Sequence, residues 1–276
     1  MPVSIDWTPK TDPLGTYRHE RITDGDTPYV EAPIRMLSID APEVHYPGKP
    51  YKYDGQLAQL AKKLKGPQFA ALPARLRKDL ARRLKDKAGT RQYESGLWAA
   101  DHFAAMLERE LHPSNRPARR LFLLTSGERF DQYGRLLVYM TKHLTKKERE
   151  TLPLSKRKTF NLMMVEAGWA VPFVIYPSLP RKKDLELLRK AGELARKEKR
   201  GCWADPKVIL GYEFRMCMKM ARGRSKSSYL SRWCADMTNR KLYEPEHYLK
   251  VLPENRLFIW AKDVEEAEKE LDLLRQ

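Results

Sequence analysis

Three short stretches of the chain carry residues whose types and spacing suit phosphoryl chemistry. They are Asp24-Gly25-Asp26-Thr27, then Arg35 with Asp40-Ala41-Pro42-Glu43 close behind it, then Asp131-Gln132-Tyr133-Gly134-Arg135. Each alone has an ordinary structural reading. Asp-Gly between extended segments is a hairpin turn, Arg35 could be a surface ion-pair partner, and Gly134 could serve a turn that needs positive φ. Together they ask for more. Alternation along an extended stretch puts Arg35, Leu37 and Ile39 on one face, so Asp40 falls where the strand ends and Pro42 cannot continue the ladder. Asp40 and Glu43 can then converge on a strand-end mouth, with Asp26 as a further carboxylate. Clustered carboxylates repel unless a positive charge sits among them, and a hard divalent cation with oxygen ligands meets that need. Arg35 and Arg135 offer planar forks suited to phosphate oxygens. Carboxylates, a cation and two guanidiniums outline a phosphoryl-transfer site.

The elements that must position these groups are legible as patterns. Residues 17–23, 27–31 and 33–39 read as three short strands, and 120–125 and 135–140 as two more. Helical spacing covers 94–110, 161–168 (with Gly168 as its stop) and 182–199. Strands interrupted by helices predict an α+β fold, a small β-barrel with helices packed outside it. Between the second and third motifs the chain turns basic. Residues 57–92 hold eleven Lys and Arg against Asp79 and Asp86, a net of +9 out of +17 for the whole chain. Leu72, Leu76, Leu80 and Leu84 recur every four residues, while Arg75, Lys78, Arg82 and Lys85 lie on another face. This is an amphipathic basic helix, or two helices broken near Gly66-Pro67. It reads either as a solvated surface helix docked by its leucine seam or as a phosphate-binding face.

At its three motifs the sequence resembles the staphylococcal nuclease (thermonuclease) family, whose signatures look like Asp-Gly-Asp-Thr, Arg-x4-Asp-[Thr/Ala]-Pro-Glu and Asp-x-Tyr-Gly-Arg. The segment Val165-Glu-Ala-Gly-Trp-Ala170 and the run from Lys197 to Trp203 look like later landmarks of the same family. The resemblance implies a five-stranded OB-type β-barrel with packed helices. It also implies calcium-dependent hydrolysis of phosphodiesters in DNA and RNA, leaving 3′-phosphates. By position, Asp26, Asp40 and the Ala41 carbonyl match the Ca²⁺ ligands. Glu43 matches the residue that activates water, Arg35 and Arg135 match the phosphate clamps, Asp24 supports the site from behind, and Tyr133 contacts the nucleotide. The nucleotide-flanking tyrosines are not cleanly present, Phe173 and Tyr176 being nearest. A basic helical insertion, about 48–92, replaces a short loop of compact relatives. Spliced in directly after Glu43, it is expected to bring Arg75, Lys78, Arg82 and Lys85 to the nucleic acid beside the catalytic mouth.

The resemblance divides the chain into a nuclease-like domain, 1–206, and a small aromatic and basic C-terminal module, 207–276. The aromatics of that module read as the core of a minimal domain or as a stacking surface for single strands. With 42% hydrophobic residues the chain can build a core, which excludes wholesale disorder. No apolar run nears the roughly 18 residues of a membrane helix. Three scattered cysteines exclude a disulfide scaffold, and residues 1–15 hold no secretory pattern. A cytoplasmic location is expected, or secretion if a leader was removed. The expected function is a calcium-dependent nuclease acting on DNA or RNA with little sequence selectivity. The alternative is a non-catalytic nucleic-acid-binding OB-fold module. No membrane or protein partner is expected.

Overall fold

The structure, a computed structural model, describes residues 16–114, 117–125 and 127–276; the leader expectation on 1–15 lies outside them. The fold is mixed α+β. The Asp24-Gly25 turn joins β1 (Arg18–Ile22) to β2 (Pro28–Glu31), an antiparallel hairpin whose strands pair only with each other. The third expected strand is two pieces, β3 (Ile34–Met36) and β4 (Ile39–Asp40). Ser38 between them takes φ 59°, which breaks the pleat. The single face expected for Arg35, Leu37 and Ile39 therefore does not form: Leu37, Ser38, Ile39 and Asp40 are all buried.

The basic insertion is helical, and it is two helices: α1 (Asp54–Lys63) and α2 (Ala74–Arg83). Leu57, Leu60 and Leu64 join Leu72, Leu76, Leu80 and Leu84 in one core, each at most 3% exposed. The leucine seam thus docks both helices. A long α3 (Ala88–Leu111) follows, starting six residues before the apolar spacing predicts. Next come β5 (Leu121–Leu124) and β6 (Leu136–Lys142). Strand β6 runs parallel to β3, with Arg35 opposite Leu137, and antiparallel to β5. Buried Asn161 ties this sheet together. It accepts from Met140 N–H at 2.9 Å and donates to the Leu37 carbonyl at 2.9 Å.

After α4 (Lys146–Thr151) and α5 (Phe160–Glu166), β7 (Val171–Pro172) pairs with β4, so Asp40 lies opposite Val171. Strand β8 (Val174–Ile175) and α6 (Lys182–Lys197) complete the motif-bearing part. The remainder forms α7 (Gly211–Ala221), α8 (Lys226–Tyr229), β9 (Arg232–Asp236), β10 (Lys241–Tyr243), β11 (Arg256–Trp260), α9 (Val264–Leu271) and β12 (Leu274–Arg275). Four of these strands and β8 make one sheet in the order β12-β10-β9-β11-β8, with Leu257 opposite Val174. Phe214 and Met218 of α7 share a core with the insertion's leucines and Phe173. Tyr248 and Phe258 are buried there too, and Trp260 is more exposed. The expected five-stranded barrel differs from what is seen. The described strands form sheets of two, five, three and two strands, and none closes on itself, because β1 and β2 stand apart.

Candidate active site

Two carboxylates meet at the end of β4. Asp40 is fully buried, its side chain 0% exposed. Glycines on two helices clamp the segment that carries it. A Cβ on Gly211, the first residue of α7, would lie 2.5 Å from both the Ala41 carbonyl oxygen and Asp40 Oδ2. A Cβ on Gly96 of α3 would lie 3.0 Å from the Glu43 carbonyl and 2.8 Å from Val44 Cγ2. Any side chain at either position would push the carboxylate segment away. With its amide oriented to satisfy both neighbours, buried Gln92 accepts from the Glu43 N–H and donates to the Ile209 carbonyl, both at 2.8 Å.

Guanidiniums meet these carboxylates from two directions. Arg35 Nη2 donates to Asp40 Oδ1 at 3.0 Å and to the Ile39 carbonyl at 3.2 Å. Arg215, from α7, donates through Nη2 to both Asp40 oxygens at 3.0 Å and through Nη1 to Glu43 Oε1. One guanidinium therefore bridges both carboxylates. Burial acts against the charge on Arg215, but Asp40 and Glu43 outweigh it and raise its pKa above the usual arginine range. For Glu43 burial is the larger influence and raises its pKa; Arg215 opposes this only in part. Glu43 Oε2 has no hydrogen-bond partner among the described residues, and the side chain is 20% exposed. Arg35 is 31% exposed, which leaves part of its fork facing solvent.

The other expected residues lie elsewhere. Asp24 and Asp26 sit in the exposed β1–β2 turn, where Asp26 Oδ1 accepts from the Thr27 hydroxyl at 3.1 Å. A hydrogen bond from the Thr27 side chain, with help from Asp26, lowers the Asp24 pKa. Arg135 donates to Asp131 Oδ2 at 2.7 Å and lies 5.4 Å over the ring of Tyr133, which is exposed. No hydrogen bond or ion pair joins Arg135 to Asp40 or Glu43 among the described residues. Phe173 stacks on Tyr212 at 4.9 Å, and Tyr176 is buried with its hydroxyl on Glu270. On α2, Arg82 bonds Asp79 and the Pro206 carbonyl. The side chains of Arg75, Lys78 and Lys85 make no hydrogen bond or ion pair among the described residues. A neighbouring arginine, Arg83, is buried on Glu213 of α7. Positions 213 and 215 project about 200° apart on a helix, so α2 and the carboxylates are held by different sides of α7.

The expected calcium ligands do not fit an ion as arranged. Asp26 is in the exposed turn, both Asp40 oxygens are taken by guanidiniums, and the Ala41 carbonyl is packed under Gly211. No group of three or more His, Cys, Asp or Glu among the described residues can hold a metal ion.

Arg215 is the group that sequence reasoning missed. It belongs to no motif and lies 175 residues from Asp40. One signal existed. The stretch Gly-Tyr-Glu-Phe-Arg-Met-Cys-Met-Lys-Met is apolar except for Glu213, Arg215 and Lys219, and charges on a buried helix need partners.

The model of the family described as staphylococcal nuclease homologue matches residues 33–205. A curated relative, the endonuclease YhcR of Bacillus subtilis (strain 168), is 23% identical over 247 residues. That alignment covers 87% of this chain and 15% of the relative, so the chain spans a small part of that protein's length.

Proposed function

Because the chain belongs to the staphylococcal nuclease homologue family, we propose that it hydrolyses phosphodiester bonds of DNA or RNA at the Asp40–Glu43 centre. The observation that carries this reading is the sharing of one guanidinium by the two carboxylates, with Arg35 on the same aspartate. In the proposed reaction a water oxygen attacks phosphorus and passes its proton to Glu43 Oε2. The bond to the leaving sugar oxygen breaks, and that oxygen takes a proton from solvent. Charge building on the phosphate is stabilised by Arg35, whose fork is only partly engaged, and by Arg215. Asp40 fixes both guanidiniums and so acts through them. Arg215 supplies a positive charge between Asp40 and Glu43, and the reaction is written on the protein's own groups. Arg135, Tyr133 and the basic face of α2 are proposed to contact the nucleic acid away from the reacting phosphate.

The test is incubation of the full chain with supercoiled plasmid and with total RNA. Arg35→Ala should lower kcat by about 10²-fold or more, the cost of losing one donor to a developing oxyanion. Wild-type turnover in purified Arg35→Ala would remove this residue from the chemistry. One observation favours the non-catalytic nucleic-acid-binding alternative: Glu43 Oε1 is already ion-paired. Binding of both nucleic acids without any cleavage by the wild type would decide for it.

A further inference from the structure

Arg232, the first residue of β9, is the most unusual cation of the described residues. Its guanidinium sits among three aromatic rings, 5.0 Å over Phe173, 5.5 Å over Phe258 and 5.1 Å over Trp260. The guanidinium makes no hydrogen bond or ion pair with any described residue. Arg215 lies 5.9 Å over the same Phe173 ring, so two guanidiniums flank one phenyl group. One turn along α7 from Arg215, Lys219 projects from the same side of the helix. Among the described residues its ammonium donates only to the Ser228 carbonyl, at 3.1 Å. Burial, and after it Arg215, lower the Arg232 pKa to about 10, with Asp40 and Tyr212 offsetting only part. Lys219 is lowered by burial and then by Arg232 and Arg215. Asp40 and Glu43 are thus met by Arg35 and Arg215, while Arg232 feels Asp40 alone of the two and Lys219 feels only the cations Arg232 and Arg215, so positive charge is in excess on the Lys219–Arg232 side.

Aromatic faces attract a guanidinium, but they supply no acceptor for its five N–H donors. Arg232 and Lys219 are only partly buried, so solvent can reach their charges, and a ligand anion can reach the same place. An anion with several oxygens would be the matching partner, held on the Arg232–Lys219 side of the Phe173 ring that Arg215 shares. We propose that Arg232 and Lys219 form a phosphate subsite that grips the phosphodiester chain next to the reacting bond. This rests on the nucleic-acid reading above and extends it to residues beyond the 33–205 family match. The subsite is a binding feature: it fixes the substrate's phosphate so that the neighbouring phosphodiester faces Glu43 and Arg35.

The experiment uses the full chain and a fluorescein-labelled single-stranded oligonucleotide with phosphorothioate linkages, which resist hydrolysis. Arg232→Gln should weaken binding about tenfold and lower the slope of log K against log salt by about 0.7, one phosphate contact on a single strand. Lys219→Gln should act in the same direction. Lys269→Gln, the same charge change at an exposed position of α9, should bind as wild type. Inorganic phosphate should raise the thermal midpoint of the wild type, acetate should not, and Arg232→Gln should lose the phosphate response. A purely structural role for Arg232 would instead lower the midpoint of Arg232→Gln without changing its affinity. Arg232→Lys, which keeps the charge, should recover part of the binding. Wild-type affinity and salt slope in both Arg232→Gln and Lys219→Gln would overturn the subsite even if the wild type cleaves plasmid. The expected losses in a protein that cleaves nothing would retain the subsite and remove the nuclease reading. An absence of oligonucleotide binding by the wild type would overturn both.

Discussion

Asp40 has no contact with water and depends on two arginines for its charge. Arg35 comes from the motif that also supplies Asp40, and Arg215 comes from α7. Removing one partner of a buried pair leaves an uncompensated charge, which costs about 3–5 kcal/mol. Arg215→Ala should therefore lose about that much stability in urea unfolding and also lose cleavage. Arg215→Lys should rescue little, because a point charge cannot bridge two carboxylates as a planar fork does. A loss below about 1 kcal/mol, the range of exposed pairs, would show that the bridge is dispensable. Glu43 supplies a second test. Burial raises its pKa, and only its ionised form accepts a proton. Activity should thus fall as pH drops through a value above the usual carboxylate range of about 4.3. A profile flat down to pH 4 would place the proton acceptor elsewhere.

At the scale of elements, α7 is the part on which the site turns. Its N-terminal glycine lies against Asp40, Arg215 bridges the carboxylates, and Glu213 holds Arg83 of α2. Glu213 is buried; burial works against its charge, but Arg83 and Arg256 outweigh it and keep its pKa below the usual value. Helix α2 is thus anchored by its leucines and one buried arginine, while the side chains of Arg75, Lys78 and Lys85 make no hydrogen bond or ion pair among the described residues. Neutralising Arg75, Lys78, Arg82 and Lys85 to Gln should raise KM on long nucleic acids and leave kcat near wild type. If about four phosphates are contacted, the salt slope should fall by about 3 to 4. A dinucleotide, too short to span α7, should be cleaved as before. Unchanged affinity of the quadruple variant for long DNA and RNA would make this face an ordinary solvated surface.

At the scale of the whole molecule, the centre is assembled from both ends of the described chain. Arg35, Asp40 and Glu43 lie within residues 33–205, while Gly211, Arg215, Lys219 and Arg232 follow them. Strand β8 pairs with β11, and the insertion's leucines share a core with Phe214 and Met218. A chain ending after Pro206 would expose that core, strip β8 of its partner and leave Asp40 with Arg35 alone. Such a truncation is expected to be insoluble or to lose cooperative unfolding. A soluble, cooperatively folding 1–206 fragment with wild-type cleavage would show that the expected division at 206 is an independent folding boundary.

The residue types of the motifs, and the helices and strands that carry them, were set by local physics that the sequence displays. The Asp24-Gly25 turn marked the first hairpin, four-residue leucine spacing marked α2, and the order of three short motifs marked the family. What tertiary structure alone decided was which charges meet. The motif carboxylate Asp26 stays in an exposed turn and Arg135 stays on Asp131, while Arg215, which has no motif, closes on Asp40 and Glu43. An ion pair between residues 175 positions apart leaves no periodic trace in either segment. It forms because α7 is an apolar helix that must bury itself, and the place where it packs against the end of β4 fixes which anion its arginine can reach.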